Sequence, residues 1–299
     1  MKLQSSLPYL LSFGIAVSAL PQSLTERPRG AAVSRATVPT IWVAGDSTTA
    51  PDGGHNGTEG WGQYLQYSFG TNARVNNSAY AGRSARSFTR EGRFERIAQA
   101  IQPGDWVVIE FGINDAPTLT NGSTSTTGDK GRPSCPGVGD ETCTVVFNNV
   151  TETVYTFPHY IKTAASTFLN LGASGIIVAE QLPTNVWESG TYTYKSTRFA
   201  YYNMLSVLEL GGPAAHVYFV QHGSYAAQAQ KLLGKEVVDK QYQMDHTHTA
   251  PFLADVHSQA FVLGLKCGSS PLAGLVVNAT ARIEMERGSC LPANATLPI

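Results

Sequence analysis

The chain has 299 residues, of which 42% are hydrophobic and 14% are charged, and its formal net charge at pH 7 is −1. This composition is that of a globular protein rather than a disordered one. The sparse, nearly balanced charge argues against a nucleic-acid-binding protein, because counterion-release binding needs a dense basic surface. The length fits a single α/β domain.

The N-terminal residues have the pattern of a secretory signal peptide. Lys2 precedes a largely apolar stretch, 7–17, and Val17-Ser18-Ala19 offers a small-residue cleavage site. The apolar stretch is too short to span a bilayer, so residues 1–19 predict a signal peptide and a secreted, extracellular protein rather than a membrane anchor. The polar, Pro-containing residues 20–38 are interpreted as a linker or pro-segment. They precede one folded domain, 39–290, and a C-terminal tail, 291–299.

Apolar runs alternate with helical patterns through the folded domain. The runs predict five strands at 40–45, 74–80, 105–111, 175–181 and 216–221. Helices are predicted at 61–69, 93–101, 160–171, 197–210, 224–233 and 251–265. This alternation predicts a mainly parallel sheet covered on both faces, with a ligand site at the carboxyl ends of the strands. The long Gly-, Ser- and Thr-rich stretch 112–150 is predicted to be an insertion loop.

Four cysteines fit an oxidising compartment. Cys135 and Cys143 are close together in the sequence, and Cys267 and Cys290 bracket the C-terminal segment. Four cysteines allow three pairings, of which the two local ones are favoured because the intervening loops are short. A zinc site is disfavoured because the sequence has no C-x-x-C pair.

Several Asn-x-Ser/Thr sequons fit a glycosylated secreted protein. They begin at Asn56, Asn76, Asn121, Asn149, Asn278 and Asn294. Asn76 lies in a strand predicted to be buried, so Asn121 and Asn149 are the expected glycosylation sites.

The first candidate catalytic residue is the serine of Gly45-Asp46-Ser47, directly after the first predicted strand. A serine there would be exposed at the carboxyl edge of the sheet. The triplet alone is weak evidence, because these residue types also cap helices. Asp245-His246-Thr247-His248, just before the last helix, supplies an acid and a base.

Asp245 stands three residues ahead of His248, so its carboxylate can orient the imidazole while the other ring nitrogen faces the serine. His246 is the rival base, although its adjacency to Asp245 makes that facing less natural. A metal site at the two histidines is disfavoured because no third ligand has suitable spacing. No metal or other cofactor is expected.

Two further blocks offer donors for an oxyanion. Gly82 follows the second predicted strand and could approach a ligand through its N–H, and Asn114 follows the third and could donate from its side-chain amide. With the Ser47 N–H they would form an oxyanion hole. The sequence has no Gly-x-Ser-x-Gly elbow, which favours a flavodoxin-like serine hydrolase over the α/β-hydrolase fold.

These blocks resemble those of SGNH (GDSL-like) hydrolases and, among them, the rhamnogalacturonan acetylesterases. The likeness covers roughly residues 40 to 290 and much more than the single motifs. It is carried by WVAGDST (42–48), GWGQYL (60–65), AGRSARSFTREGRFE (81–95), VIEFGIND (108–115), TFPHY (156–160) and MDHTHTAP (244–251). Ile113 stands where close relatives tend to have His.

The resemblance implies a three-layer αβα sandwich with a central parallel five-stranded sheet, and makes 39–290 the catalytic domain. It implies Ser47 as nucleophile, His248 as general base and acid, Asp245 as its orienter, and Gly82 and Asn114 as oxyanion-hole residues. The implied reaction is removal of acetyl groups from galacturonic acid in the rhamnogalacturonan backbone of pectin, without a cofactor. A monomer is the default expectation for a soluble secreted hydrolase.

Arg83 and Arg86 flank Gly82, and either could pair with a galacturonate carboxylate. A salt bridge to Asp or Glu is the equally weighted alternative for both. The expected partner is an acetylated pectic polysaccharide, and no nucleic acid or membrane. An esterase for acetylated xylan or homogalacturonan, a lipase-like esterase and a non-catalytic sugar-binding relative are the alternatives.

Overall fold

The computed structural model describes residues 38–116, 119, 130–277 and 287–292. The predicted signal peptide, the linker up to residue 37 and tail residues 293–299 lie outside the described residues, as do the sequons at Asn121, Asn278 and Asn294. No helix in the described ranges is long and apolar enough to cross a bilayer.

Within the described residues, seven strands form two sheets. They are β1 (Thr40–Gly45), β2 (Arg74–Asn77), β3 (Trp106–Glu110), β4 (Thr142–Phe147), β5 (Val150–Tyr155), β6 (Gly175–Ala179) and β7 (Val217–Val220). The larger sheet has five parallel strands in the order β2-β1-β3-β6-β7, which confirms the predicted central sheet. The order reverses direction at β1, and crevices at such switch points hold the ligand sites of open parallel sheets.

Helices cover both faces of this sheet. They are α1 (Leu65–Phe69), α2 (Ala85–Arg90), α3 (Arg93–Ala100), α4 (Phe157–Asn170), α5 (Arg198–Glu209), α6 (His222–Leu233), α7 (Lys235–Asp239) and α8 (Pro251–Cys267). Short 3-10 turns at Trp61–Gln63, Gly212–Ala215 and Pro271–Leu275 complete the set.

The core has two halves, one on each side of the sheet. Alternate strand residues point to opposite faces, so Val43 and Val108 pack with α1, α6 and α8, whereas Ala44 and Ile109 pack with α2 to α5. The central strands β3 and β6 are buried along their whole length. This arrangement is the predicted three-layer αβα sandwich.

The stretch predicted to be an insertion loop ends in a β-hairpin, so that prediction was wrong for its last part. Strands β4 and β5 pair antiparallel, and Asn148 and Asn149 form the turn with φ of 50° and 64°. Asparagine tolerates this left-handed conformation better than most residues. Asn149 is exposed at the turn, where its side chain faces solvent.

Strand β2 is an edge strand, and this corrects the prediction that Asn76 lies on a buried strand. Only β1 pairs with β2 in the sheet, and Asn76 is exposed. The strand also ends at Asn77, before the predicted residue 80.

The two predicted disulfides are confirmed. Cys135 pairs with Cys143 and Cys267 pairs with Cys290, with Cα atoms 5.4 and 5.5 Å apart. The first bond joins the segment before the hairpin to β4. The second joins the end of α8 to residues 287–292.

Candidate active site

Ser47 lies in a tight turn at the carboxyl end of β1. The carbonyl of Asp46 accepts hydrogen bonds from the N–H groups of Thr49 and Ala50, at 3.2 and 2.9 Å. Gly45 permits this turn, because a β-carbon built there would lie 2.6 Å from the Thr49 hydroxyl oxygen. Ser47 is 4% exposed, at the edge where the parallel strands end.

Ser47, His248 and Asp245 form one hydrogen-bonded chain. The Ser47 Oγ lies 2.8 Å from His248 Nε2, and His248 Nδ1 lies 2.7 Å from Asp245 Oδ2. A carboxylate only accepts hydrogen bonds, so Nδ1 carries the proton and Nε2 is left to accept from the serine hydroxyl. The arrangement can therefore remove a proton from Ser47.

Asp245 is held by its own loop. Its Oδ1 accepts from the N–H groups of Thr247 and His248, both at 2.7 Å. Burial opposes ionisation, but the hydrogen bonds from the His248 ring and from these N–H groups outweigh it and lower the pKa of Asp245. The spacing of three residues places the carboxylate within hydrogen-bond distance of Nδ1, at the edge of the His248 ring.

His246, the rival base, points away from the serine. Its Nδ1 lies 3.2 Å from Glu188, and its side chain is 57% exposed. Its carbonyl accepts a hydrogen bond from the N–H of Asn185 at 2.8 Å. His248 is therefore the histidine that contacts Ser47.

A glycine-rich loop packs on the face of His248. A β-carbon at Gly54 would lie 2.6 Å from ring atoms of His248, so only glycine lets the loop approach so closely. The loop is tied to the histidine segment by two bonds between Glu59 and Thr249, at 2.9 and 3.1 Å. Gly54 limits the movement of the imidazole, and the sequence predictions did not include it.

The three expected oxyanion donors have no hydrogen-bond partner among the described residues. The N–H groups of Ser47 and Gly82 donate no hydrogen bond within the part of the chain that the structure describes. The Asn114 Nδ2 is buried and likewise unpartnered among those residues. Ser47 and Asn114 Nδ2 are buried and Gly82 is half-buried, and an unpaired buried donor is costly unless a ligand completes it. These donors therefore suit an anionic oxygen.

Two hydrogen bonds bring these three donors to the same edge. The Tyr80 N–H donates to the Gly45 carbonyl at 3.0 Å, which carries the Gly82 turn to the end of β1. The Ala85 N–H donates to Asp115 Oδ1 at 2.9 Å, which joins that turn to the segment after β3. Gly82 itself has a φ of 74°, which favours glycine.

The carboxyl groups of Asp46, within the serine turn, and of nearby Asp115 are both buried. Burial raises the pKa of Asp46 to about 6, helped by nearby Glu110 and opposed by hydrogen bonds from Thr48. Burial also raises the pKa of Asp115 well above its ordinary value, opposed by the bond from Ala85. The sequence showed both residues inside the motifs, but nothing in it indicated that they would be buried.

The two arginines expected to bind substrate are engaged with protein groups. Arg83 Nε lies 3.0 Å from both carboxylate oxygens of Glu91, with the guanidinium stacked on Tyr80. Arg86 is fully buried, pairs with Glu152 at 2.8 Å and donates to the Pro133 carbonyl. A buried guanidinium cannot reach a polysaccharide, so Arg86 is corrected to a structural residue that holds the hairpin.

A serine hydroxyl, an imidazole and a carboxylate linked in this order are the constellation of serine hydrolases. Residues 43–203 match the model of the GDSL-like lipase/acylhydrolase family. The chain belongs to this family, which is the one that its sequence blocks resemble.

Individual relatives agree with this family assignment. The chain is 46% identical over 233 residues to a rhamnogalacturonan acetylesterase of Emericella nidulans, covering 78% of this chain and 87% of the relative. It is 41% identical over 76 residues to a probable rhamnogalacturonan acetylesterase, YesY, of Bacillus subtilis, covering 25% of this chain and 35% of that protein.

A solved structure shares the fold. The protein YxiM of Bacillus subtilis superimposes with a TM-score of 0.58 at 20% identity, covering 77% of this chain and 56% of that one. At this identity the likeness concerns the fold alone.

Proposed function

We propose that the protein is a serine esterase that removes acetyl groups from the rhamnogalacturonan backbone of pectin. The observation that carries the proposal is the 2.8 Å contact between Ser47 Oγ and His248 Nε2 at the carboxyl edge of the sheet. The substrate is proposed because the Emericella nidulans relative, matched over 87% of its length, is named a rhamnogalacturonan acetylesterase.

In the proposed acylation, His248 Nε2 takes the proton from Ser47 as Oγ attacks the acetyl carbonyl carbon. The negative charge that develops on the carbonyl oxygen is met by the N–H groups of Ser47 and Gly82 and by Asn114 Nδ2. The C–O bond to the sugar then breaks, and His248 returns the proton to the departing hydroxyl. Asp245 stabilises the imidazolium throughout.

Deacylation repeats these roles with water. His248 removes a proton from a water molecule, whose oxygen attacks the acetyl-serine carbonyl. The same donors hold the second oxyanion, and its collapse releases acetate and returns the proton to Ser47. The chain's own residues supply every group in this scheme.

The proposal extends to where the protein acts. Two disulfides fit an oxidising, extracellular setting, and Asn149 is exposed within its sequon. We propose a secreted monomer, cleaved after the signal peptide and glycosylated at Asn121 and Asn149. Mass measurement of the secreted protein before and after removal of N-glycans tests the cleavage point and both sites.

Acetate release from acetylated rhamnogalacturonan tests the function, with acetylated xylan and acetylated homogalacturonan alongside. We expect release mainly from rhamnogalacturonan, lost in Ser47→Ala. Ser269→Ala is the matched control, because Ser269 is exposed just after α8. Serine-dependent release mainly from another polymer would contradict the proposed substrate. Absence of serine-dependent release from all three polymers would contradict the proposed esterase activity.

A further inference from the structure

Arg132 places its guanidinium against Gly82, one of the three expected oxyanion donors. Its Nη2 lies 2.5 Å from the position that a β-carbon would occupy at Gly82, so glycine is what makes room for it. Arg132 comes from the stretch predicted to be an insertion loop. Its side chain is partly exposed, and so accessible to a ligand.

The backbone on either side of Arg132 is fixed. The Gly131 carbonyl accepts from Arg90 Nη1, and the Pro133 carbonyl accepts from the buried Arg86 Nη1, both at 2.8 Å. Cys135, two residues further on, is held by its disulfide to Cys143. A guanidinium on an anchored backbone is preorganised, which lowers the entropy cost of binding.

The guanidinium itself has no hydrogen-bonded partner in the described parts of the chain. Asp46 and Asp115 are its acidic neighbours, but neither forms a hydrogen bond or an ion pair with it, and Asp115 Oδ2 is unpartnered among those residues. Arg83, the neighbouring cation, is by contrast neutralised by Glu91. Arg132 therefore offers five N–H donors beside the site where the ester carbonyl would lie.

We propose that Arg132 binds a carboxylate on the acetylated sugar and thereby selects uronic acid esters over neutral sugar esters. Resting on the proposed function, the inference assigns the galacturonate carboxylate to this guanidinium. A planar fork of donors matches a carboxylate in a bidentate geometry that a neutral sugar cannot offer. Arg83 and Arg86, the two arginines that the sequence offered for this role, are instead paired with Glu91 and Glu152.

The test compares two matched substrates. One is an acetylated rhamnogalacturonan oligosaccharide, and the other is the same oligosaccharide with its carboxylates converted to uncharged amides. For the wild type, kcat/KM should be about 10- to 100-fold higher on the acid, the range expected for a hydrogen bond between charged groups. In Arg132→Gln this ratio should fall to near one, and Arg132→Lys should keep an intermediate ratio because it retains the charge without the fork.

Arg74→Gln is the matched control, because Arg74 is exposed at the start of β2, at the opposite end of the sheet from Ser47. It should keep the wild-type ratio. An unchanged ratio in Arg132→Gln overturns the inference. So does an equal loss on both substrates together with a lower melting temperature, which would make Arg132 a counter-charge for Asp46 and Asp115. A wild type that releases no acetate from either oligosaccharide would instead refute the proposed function.

Discussion

Two of the carboxylate–imidazole pairs among the described residues have nearly the same geometry, although one lies at the site and the other in the core. Asp245 Oδ2 lies 2.7 Å from His248 Nδ1, and Glu110 Oε2 lies 2.6 Å from His222 Nδ1. Their surroundings differ, because the side chains of the site pair are 41% and 24% exposed and those of the core pair are 1% and 0% exposed. A close acid–imidazole contact alone therefore does not define a catalytic base.

The two pairs differ in what the second ring nitrogen, Nε2, of each histidine contacts. His248 Nε2 faces the hydroxyl of Ser47, which can donate a proton, whereas His222 Nε2 lies 2.8 Å from the carbonyl oxygen of His257, which can only accept. The remaining oxygen of Glu110 accepts from the indole N–H of Trp61 at 2.9 Å. The core pair is therefore saturated and structural, and the site pair is open to chemistry.

Asp245→Asn should have the largest effect among the changes to these pairs. The amide keeps the size of the side chain but can donate to His248 Nδ1, which favours the tautomer that cannot accept the Ser47 proton. We expect kcat to fall about 10⁴-fold. Steady-state hydrolysis of a soluble acetyl ester measures it, and a loss below tenfold would contradict the assigned role of Asp245.

Glu110→Ala should damage stability where Asp245→Asn damages catalysis. Removing one partner of a buried pair leaves the other uncompensated, so the free energy of unfolding should fall by about 3–5 kcal/mol. Denaturant titration checks this, with kcat measured on the folded protein at low temperature. A loss of kcat comparable to that of Asp245→Asn, without loss of stability, would erase the distinction between the two pairs.

The sequence predicted the strands and disulfides well because their signals are local. Buried parallel strands such as β3 and β6 appear as short apolar runs, and each cysteine pair encloses a short loop. The β4–β5 hairpin was missed although β4 alternates between buried and exposed residues and Asn148-Asn149 suits a hairpin turn. The Gly-rich sequence before it obscured that pattern.

Asn114→Ala tests the hydrogen-bond donors of the oxyanion hole. Deleting one preorganised donor should lower kcat about 10²- to 10³-fold with little change in stability, since Nδ2 has no partner among the described residues. Asn114→Asp should be at least as harmful, because it places an acceptor where the oxyanion forms. If both variants kept wild-type kcat on a soluble acetyl ester, Asn114 would have no part in the oxyanion hole.

Asp46→Asn extends the comparison to a buried carboxyl group without an imidazole partner. The pKa of Asp46 is about 6 in the folded protein against an ordinary value of 3.8, so its ionisation opposes folding. Stability from the protonated form is fully present below about pH 4 and is lost as pH rises through about 6, by about 3 kcal/mol.

The free energy of unfolding of Asp46→Asn minus that of the wild type should therefore be about 3 kcal/mol larger at pH 8 than at pH 4. Denaturant titrations of both proteins at the two pH values measure this difference. The same stability difference at pH 4 and pH 8 would mean that Asp46 ionises normally.

The site was only partly predictable. Ser47, His248, Gly82 and Asn114 follow strands or precede a helix, so their meeting at one edge follows from the topology. Arg132 follows no strand, and its position depends on contacts with Arg86 and Arg90 that link distant segments. No local pattern in the sequence encodes such contacts. For this reason the sequence offered only Arg83 and Arg86 as candidates, with a salt bridge as the equally weighted alternative for both.

The activation of Ser47 by His248 can be tested directly. The protein is labelled with a serine-directed fluorophosphonate, and peptide mass spectrometry then locates the adduct. We expect a single adduct, on Ser47, which forms rapidly in the wild type and in folded Glu110→Ala but much more slowly in His248→Ala. An adduct on another serine, or an unchanged labelling rate in His248→Ala, would contradict it.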